Sequence, residues 1–254
     1  MSAYAYGVDE ASVRTGTPMR GSRYTPPSDY ETVQLRDILA DRGGAPIEAK
    51  QIDFLKAGPE ESYPVYYAGD LAALNSPAVA IVGTRRVSRE GAARARRLAK
   101  ELAQNGVSVV SGLAKGVDTE ALTSAMKHGG RVAAVIGTPL DKAYPAENKR
   151  LQEEIYENHL LVSQFKHGMR TYPSHFPERN RLMAAVSDAT VVIEASDSSG
   201  TLHQSAECQR LGRWLFITRA VAEDPKLSWP AKFLSYEKCV VLKDIDDVLS
   251  RMGQ

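Results

Sequence analysis

The sequence predicts an α/β fold: a doubly wound, mostly parallel, Rossmann-like sheet with a short helical segment at its N-terminus. Three observations carry that prediction. Apolar, β-branched runs recur at Val79–Val82, Val107–Val110, Val132–Ile136, Leu160–Val162, Val191–Ile193, Leu215–Ile217 and Cys239–Leu242. The runs are apolar throughout instead of alternating, as suits strands buried on both faces of a parallel sheet. Helical patterns separate most of them, which makes right-handed βαβ units.

The elements follow in order. Residues 1–28 are rich in Ser, Thr, Gly, Pro and Arg and lack an apolar period, so a mobile tail is expected. Residues 29–60 are expected to form a short helical segment and linker. Val33, Ile38 and Leu39 fit one apolar stripe, and Ile52, Phe54 and Leu55 a second, with Gly43, Gly44 and Pro46 between them. "GPEESYP" at 58–64 reads as the linker, and the Rossmann-like domain is expected over 61–254. After the first strand, Ser88 is a candidate N-cap. Gly91, Ala95, Leu98 and Leu102 make one narrow apolar face. Asn105-Gly106 supplies a left-handed stop.

With 254 residues the chain can hold one large α/β domain or two small ones. Its 43% hydrophobic and 25% charged residues are ordinary for a soluble globular protein. A net charge of +1 sets up no global field for nucleic acid, so such binding needs a local patch. No run of about 18 apolar residues is present, and no membrane span is expected. The N-terminus "MSAYAYGVDEASVR" lacks the apolar core of a signal peptide. Cys208 and Cys239 are too few for a disulfide framework and are not spaced as a metal clip. A reduced, cytoplasmic protein is expected.

In an open parallel sheet, ligands bind at the C-terminal ends of the strands. Those ends here carry Gly83-Thr84, Ser111-Gly112, Gly137-Thr138, Ser163 and "SDSSGT" at 196–201. Small residues let backbone N–H groups approach an anion, and helix N-termini add partial positive charge. Tight turns use the same residues for structural reasons. Five such loops on one edge, beside Arg85, Lys115 and Arg179, favour a phosphate-binding rim. A redox dinucleotide is not expected, because Arg85 and Arg86 stand where a Gly-x-Gly-x-x-Gly turn would approach a pyrophosphate. A Walker A lysine motif is also missing. An arginine here can instead hold a phosphate through paired hydrogen bonds.

"RRVSREGAARARRLAK" at 85–100 holds seven basic side chains and one acid. Arg89, Arg96 and Lys100 share a helical face, read either as a solvated surface or as a track for a nucleic-acid backbone. "FPERNRL" at 176–182 places Arg179 and Arg181 around Asn180 where a loop enters a helix. Asn reads amides and base edges, whereas Arg reads phosphates. Tyr172, His175 and Phe176 are candidates for stacking on unpaired bases or for a core plug. Ser111 and Ser163 have no evident His and carboxylate partners, and the five histidines lack metal-ligand spacing, so no catalytic or metal-binding residue is assigned. Asp118 is expected to cap the following helix.

These segments resemble a known family. "AIVGTR", "SGLAKGVD", "AVIGTPLDKAYPAENKRL", "FPERNRLMAAVSDATVVIEA" and "SGT" occur in the order and spacing of the DprA/Smf DNA-processing proteins, over about residues 63–217. The resemblance implies an extended Rossmann-like domain that binds single-stranded DNA in a basic pocket without cofactor or catalysis. It also implies homodimers that help load a RecA-type recombinase during natural transformation. Carried onto this chain, the pocket is Gly83, Thr84 and Arg85, with Ser111, Gly112, Lys115, Gly116 and Asp118. Asn180 and Arg181 complete it, with Ser199, Gly200 and Thr201 at the far end; Arg86 and Arg179 join from the reading of the rim.

The chain departs from the family in places. Ala121-Leu122 stands where the family has Ala-His, Ser163-Gln164 where it has Ser-Glu, and "FITRA" where it has Pro-Gly. A form without the family's usual winged-helix and sterile-alpha-motif-like flanking domains is expected. A nucleotide-sensing relative in a defence pathway is the alternative. A further alternative is a LOG-type nucleotide phosphoribohydrolase, since "ERNRLMAAVSDATVVIEASDSSGTLHQ" is similar to its segments. Its catalytic Glu falls at Gln204, which cannot serve as a general base.

Overall fold

Strands that are apolar on both sides must be covered on both faces. The computed structural model, which describes residues 23–41 and 63–252, covers them with helices. Among the described residues, β1 (Glu31–Gln34), α1 (Leu35–Asp41) and β2 (Pro64–Gly69) lead into a short 3-10 turn at Leu71–Leu74. The alternating part follows as β3 (Ala78–Val82), α2 (Arg89–Gln104), β4 (Ser108–Ser111), α3 (Val117–Lys127) and β5 (Val132–Ile136). Next come α4 (Lys149–Asn158), β6 (Leu160–Ser163), α5 (His175–Ala185), β7 (Ala189–Val192) and α6 (Thr201–Arg210). The last elements are β8 (Trp214–Thr218), α7 (Arg219–Ala222), α8 (Pro230–Leu234), β9 (Cys239–Leu242) and α9 (Asp246–Met252).

The strands form one sheet in the order β1-β2-β6-β5-β4-β3-β7-β8-β9. From β6 to β9 every pairing is parallel; β2 joins β6, and β1 joins β2, antiparallel. The chain winds outward in one direction from β3 through β4, then returns to the other side of β3 through β7. That reversal opens a crevice beyond the C-terminal end of β3. Two cores lie on the two faces. Ala78, Ala80 and Val82 face the core shared with α1, α5 and α6, whereas Val79 and Ile81 face the core shared with α2, α3 and α4. The alternation is the strand's own period of two, with both faces apolar.

Each of the seven expected apolar runs lies on an observed strand, with ends shifted by a residue or two. The expected helix after β3 holds in detail. Ser88 Oγ accepts from Gly91 N at 2.9 Å, Ala95 and Leu102 are fully buried, and Gly106 takes φ 72°.

The N-terminal segment differs from its expectation. Residues 31–34 are a strand, and the helix begins only at Leu35, with Leu35 and Ile38 buried. The linker read at 58–64 ends in Tyr63-Pro64, where β2 begins. "ETVQ" and "PVYYAG" are short and mixed in polarity because they are only partly covered, so they carry none of the signal of a strand buried on both faces. The stripe at Ile52, Phe54 and Leu55 lies outside the described residues. Of the expected tail, residues 23–28 rest on the domain. Tyr24 donates to Leu140 O at 2.8 Å, Thr25 N donates to Glu153, and Pro27 is buried.

Candidate nucleic-acid interface

The loop that leaves β3 is pinned to the end of β7. Thr84 N donates to Glu194 O at 2.7 Å. The Glu194 carboxylate accepts from Ser88 Oγ at 2.6 Å and Ser88 N at 3.2 Å. Ser88 also caps α2, so Glu194 ties together the loop and the helix start. Between these anchors Arg85 stays exposed, its guanidinium 5.9 Å from the centroid of the Phe176 ring. Tyr144, 47% exposed, tilts against the same ring at 5.1 Å. A cation and two partly exposed rings thus meet at one mouth. This is the combination that holds a phosphate and stacks a base.

The loop from β4 to α3 forms the second wall. Gly116 takes φ +77°, and a Cβ there would lie 2.3 Å from Thr84 O, so only glycine lets this loop approach the first. Leu113 also has positive φ, 58°, and is held by Asn148 Nδ2, which donates to its carbonyl at 2.9 Å. The expected Asp118 cap is not what forms. Gly116 occupies the cap position without a side-chain bond, and Asp118, in the first turn, folds back on its own loop. Its Oδ2 accepts from Gly112 N at 3.1 Å and Ala114 N at 3.2 Å. Burial pushes its carboxyl up to about 6, against the pull of Arg179 and of these N–H groups. Lys115 projects outward at the rim and pairs with Glu147 at 2.5 Å. The Lys115 ammonium, which donates to Glu147, holds the Glu147 carboxyl below its ordinary value.

The floor is Arg179 on α5. It is 6% exposed, and its Nη1 donates to Gly112 O at 2.5 Å and Val135 O at 2.7 Å. Burial lowers its pKa to about 10, opposed by Asp118. A Cβ on Gly112 would run into this guanidinium at 2.4 Å. Asn180 donates to Gly200 O at 3.3 Å and links α5 to the far wall. There Thr201 N donates to Ser199 Oγ at 3.2 Å, and the N-terminus of α6 faces the opening.

Two adjoining clefts result, of about 400 and 270 Å³. Arg85, Ala114, Phe176 and Arg179 line both. Of the residues singled out from sequence, Gly83, Thr84, Asp118, Asn180, Ser199, Gly200 and Thr201 line the larger cleft, and Gly112 and Lys115 the smaller. Four lie outside both linings. Ser111 is fully buried and donates to Ile81 O, bridging two strands. Gly116 packs on the back of the Thr84 loop. Arg86 is exposed beyond the turn that its N–H makes with Thr84 Oγ1. Arg181 reaches the other way along α5, to Glu207 at 3.4 Å. Of the stacking candidates, His175 is a core plug, stacked on Phe165 at 3.9 Å, whereas Phe176 lines the clefts.

Sequence reasoning missed Tyr144 and Glu194. Glu194 had a signal, since a carboxylate directly after an apolar strand is out of place on a phosphate rim unless it braces a loop. Tyr144 had none, because exposure of a single ring is a tertiary property.

The model of the family described as "DNA recombination-mediator protein A" matches residues 48–253. The chain is 41% identical over 152 residues to a DNA processing protein DprA of Streptococcus pneumoniae, covering 60% of this chain and 54% of that protein. It spans about half the length, or less, of the first curated relatives it matches. An X-ray structure of the Streptococcus pneumoniae protein superposes with a TM-score of 0.72 at 32% identity, covering 89% of this chain and 75% of that one. A DNA processing protein A from Helicobacter pylori, whose structure concerns its single-stranded DNA binding mode, gives 0.69 at 27% identity, covering 87% and 94%. A match over most of the length, on the same Rossmann-like sheet, places this chain in the DNA recombination-mediator protein A family of DNA-processing proteins.

Proposed function

We propose that this chain binds single-stranded DNA in the paired clefts and performs no chemistry on it. The observation that carries the reading is the exposed Arg85 guanidinium against Phe176, with Tyr144 beside it. Unpaired bases offer a stacking face that a duplex hides, and their backbone offers phosphates to Arg85 and Lys115. Action in the cytoplasm as a homodimer that helps load a RecA-type recombinase belongs to the same proposal, supported by family membership. No helix among the described residues is long and apolar enough to cross a membrane.

The hydrolase alternative lacks its carboxylate. Gln204 is fully buried with its amide on Thr190 Oγ1, and Glu207 is engaged by Arg181 and Arg210 outside the cleft. Nucleotide sensing is the second reading, favoured by the size of the larger cleft, which suits a small molecule.

The test is a fluorescence titration with single-stranded and duplex oligomers and with unlabelled nucleotides as competitors. Tighter binding of the single strand is expected, with a log–log salt slope of about 0.7 per phosphate contacted. No retention of a long single strand at about 50 mM salt, with displacement of a labelled mononucleotide instead, favours the sensor.

A further inference from the structure

A second cationic cleft, of about 230 Å³, lies at the C-terminal ends of β7, β8 and β9, between α2 and the segments that follow β8 and β9. Arg94 and Arg97 reach it from α2, Arg219 from the end of β8 and Lys243 from the end of β9. Glu101 and Asp244 also line it, which leaves an excess of two positive charges. The cations are poorly neutralised. Among the described residues, Arg97 and Lys243 have no carboxylate within ion-pair distance, and both are exposed. Arg219 has only an exposed contact of 3.7 Å to Glu223. Arg94 Nε is buried without an acceptor, and its Nη2 lies 3.9 Å from a Glu194 carboxylate that Ser88 already occupies.

The partly desolvated Arg94 guanidinium is costly to leave without an acceptor, and an anion in the cleft would complete it while drawing on the solvated charges of Arg97, Arg219 and Lys243 around it. The position supplies the anion's identity. Glu194 touches Arg94 on one side and Ser88 on the other, and Ser88 closes the loop that carries Arg85. The second cleft therefore begins where the rim of the first ends. We propose that it binds backbone phosphates of the same single strand as it leaves the Arg85 cleft. This rests on the single-stranded DNA reading above and names the exit path of that strand.

The experiment compares dT oligomers of about 6 and about 30 nucleotides, binding to wild type, to the double variant Arg97→Ala/Lys243→Ala and to Arg85→Ala, across a salt series. The double variant is expected to bind the short oligomer as wild type does. It should bind the long one roughly tenfold more weakly, with a salt slope lower by about 1.4, or 0.7 for each phosphate lost. Arg85→Ala should weaken both lengths. An unchanged slope and affinity for the long oligomer in the double variant, with Arg85-dependent binding of the short one intact, overturns this inference alone. Failure of wild type to bind either length overturns the single-stranded DNA reading and this inference together. Inorganic triphosphate is the remaining arm. If it binds wild type and not the double variant, while oligomer length makes no difference, the cleft holds a free polyphosphate and the exit path is wrong.

Discussion

The rim and the floor of the crevice use the same side-chain chemistry to opposite ends. On the rim, Arg85 and Lys115 are exposed, and their neighbours are two rings and one solvated carboxylate. On the floor, Arg179 is buried; its Nη1 is taken by two backbone carbonyls and its Nε by the Asn180 side chain, with Asp118 beside it. An arginine in a phosphate-binding motif is therefore not evidence of phosphate contact. What decides is whether its donors are already satisfied by the protein. The floor holds two loops and a strand in register so that the rim can face a ligand. Four measurements break or sharpen that division.

The largest effect is expected at the floor. Arg179→Met leaves Asp118 without its cation and leaves the carbonyls of Gly112 and Val135 without a donor. Leaving buried acceptors unsatisfied costs about 1–3 kcal/mol each, so chemical denaturation should show a large loss of stability. An unfolding midpoint equal to wild type would place Arg179 on the rim after all.

The second effect is a pH dependence. Burial raises the Asp118 carboxyl from 3.8 to about 6, so the folded state holds this proton more tightly than the unfolded state. The sign follows: the contribution to stability is present below about 4 and is lost as pH rises through about 6, by an amount on the order of 3 kcal/mol. Other carboxylates titrate in the same range, so the readout is the stability difference between wild type and Asp118→Asn. That difference should shift against wild type between pH 4 and pH 7, and a flat difference rejects the assignment.

On the rim, Arg85→Ala should leave the melting temperature within about a degree of wild type, because exposed substitutions away from caps and cores are nearly neutral. Loss of a charge-assisted hydrogen bond should still weaken single-stranded DNA binding about tenfold to a hundredfold. A variant that melts early and binds normally would invert the comparison.

The smallest effect is a gain. Glu147 holds the Lys115 ammonium, so a phosphate docking there would have to displace it. Glu147→Gln should raise affinity about twofold to threefold, most visibly at low salt, where exposed charges are least screened. Weaker binding in this variant would mean that Glu147 positions Lys115 instead of competing for it.

The parallel part of the sheet was legible because burial on both faces leaves an unbroken apolar run, and few other structures need one. "VAAVI" and "CVVL" are strands over their expected residues. The antiparallel strands β1 and β2 were not legible. A strand that is only partly covered can carry Glu, Gln and Tyr, so its residues do not separate it from a helix or a linker.

The crevice divides in the same way. The sequence by itself determined which loops follow the strands, because small and hydroxyl residues directly after apolar runs are properties of the chain's pattern. Only the tertiary structure decided which cations there remain available. Arg85, Arg179 and Arg181 are alike in sequence, but one faces rings at the mouth, one is consumed by Gly112 and Val135, and one turns to Glu207. The physical reason is that an arginine's donors go to the nearest unsatisfied acceptor, and those acceptors come from strands and helices distant in the chain.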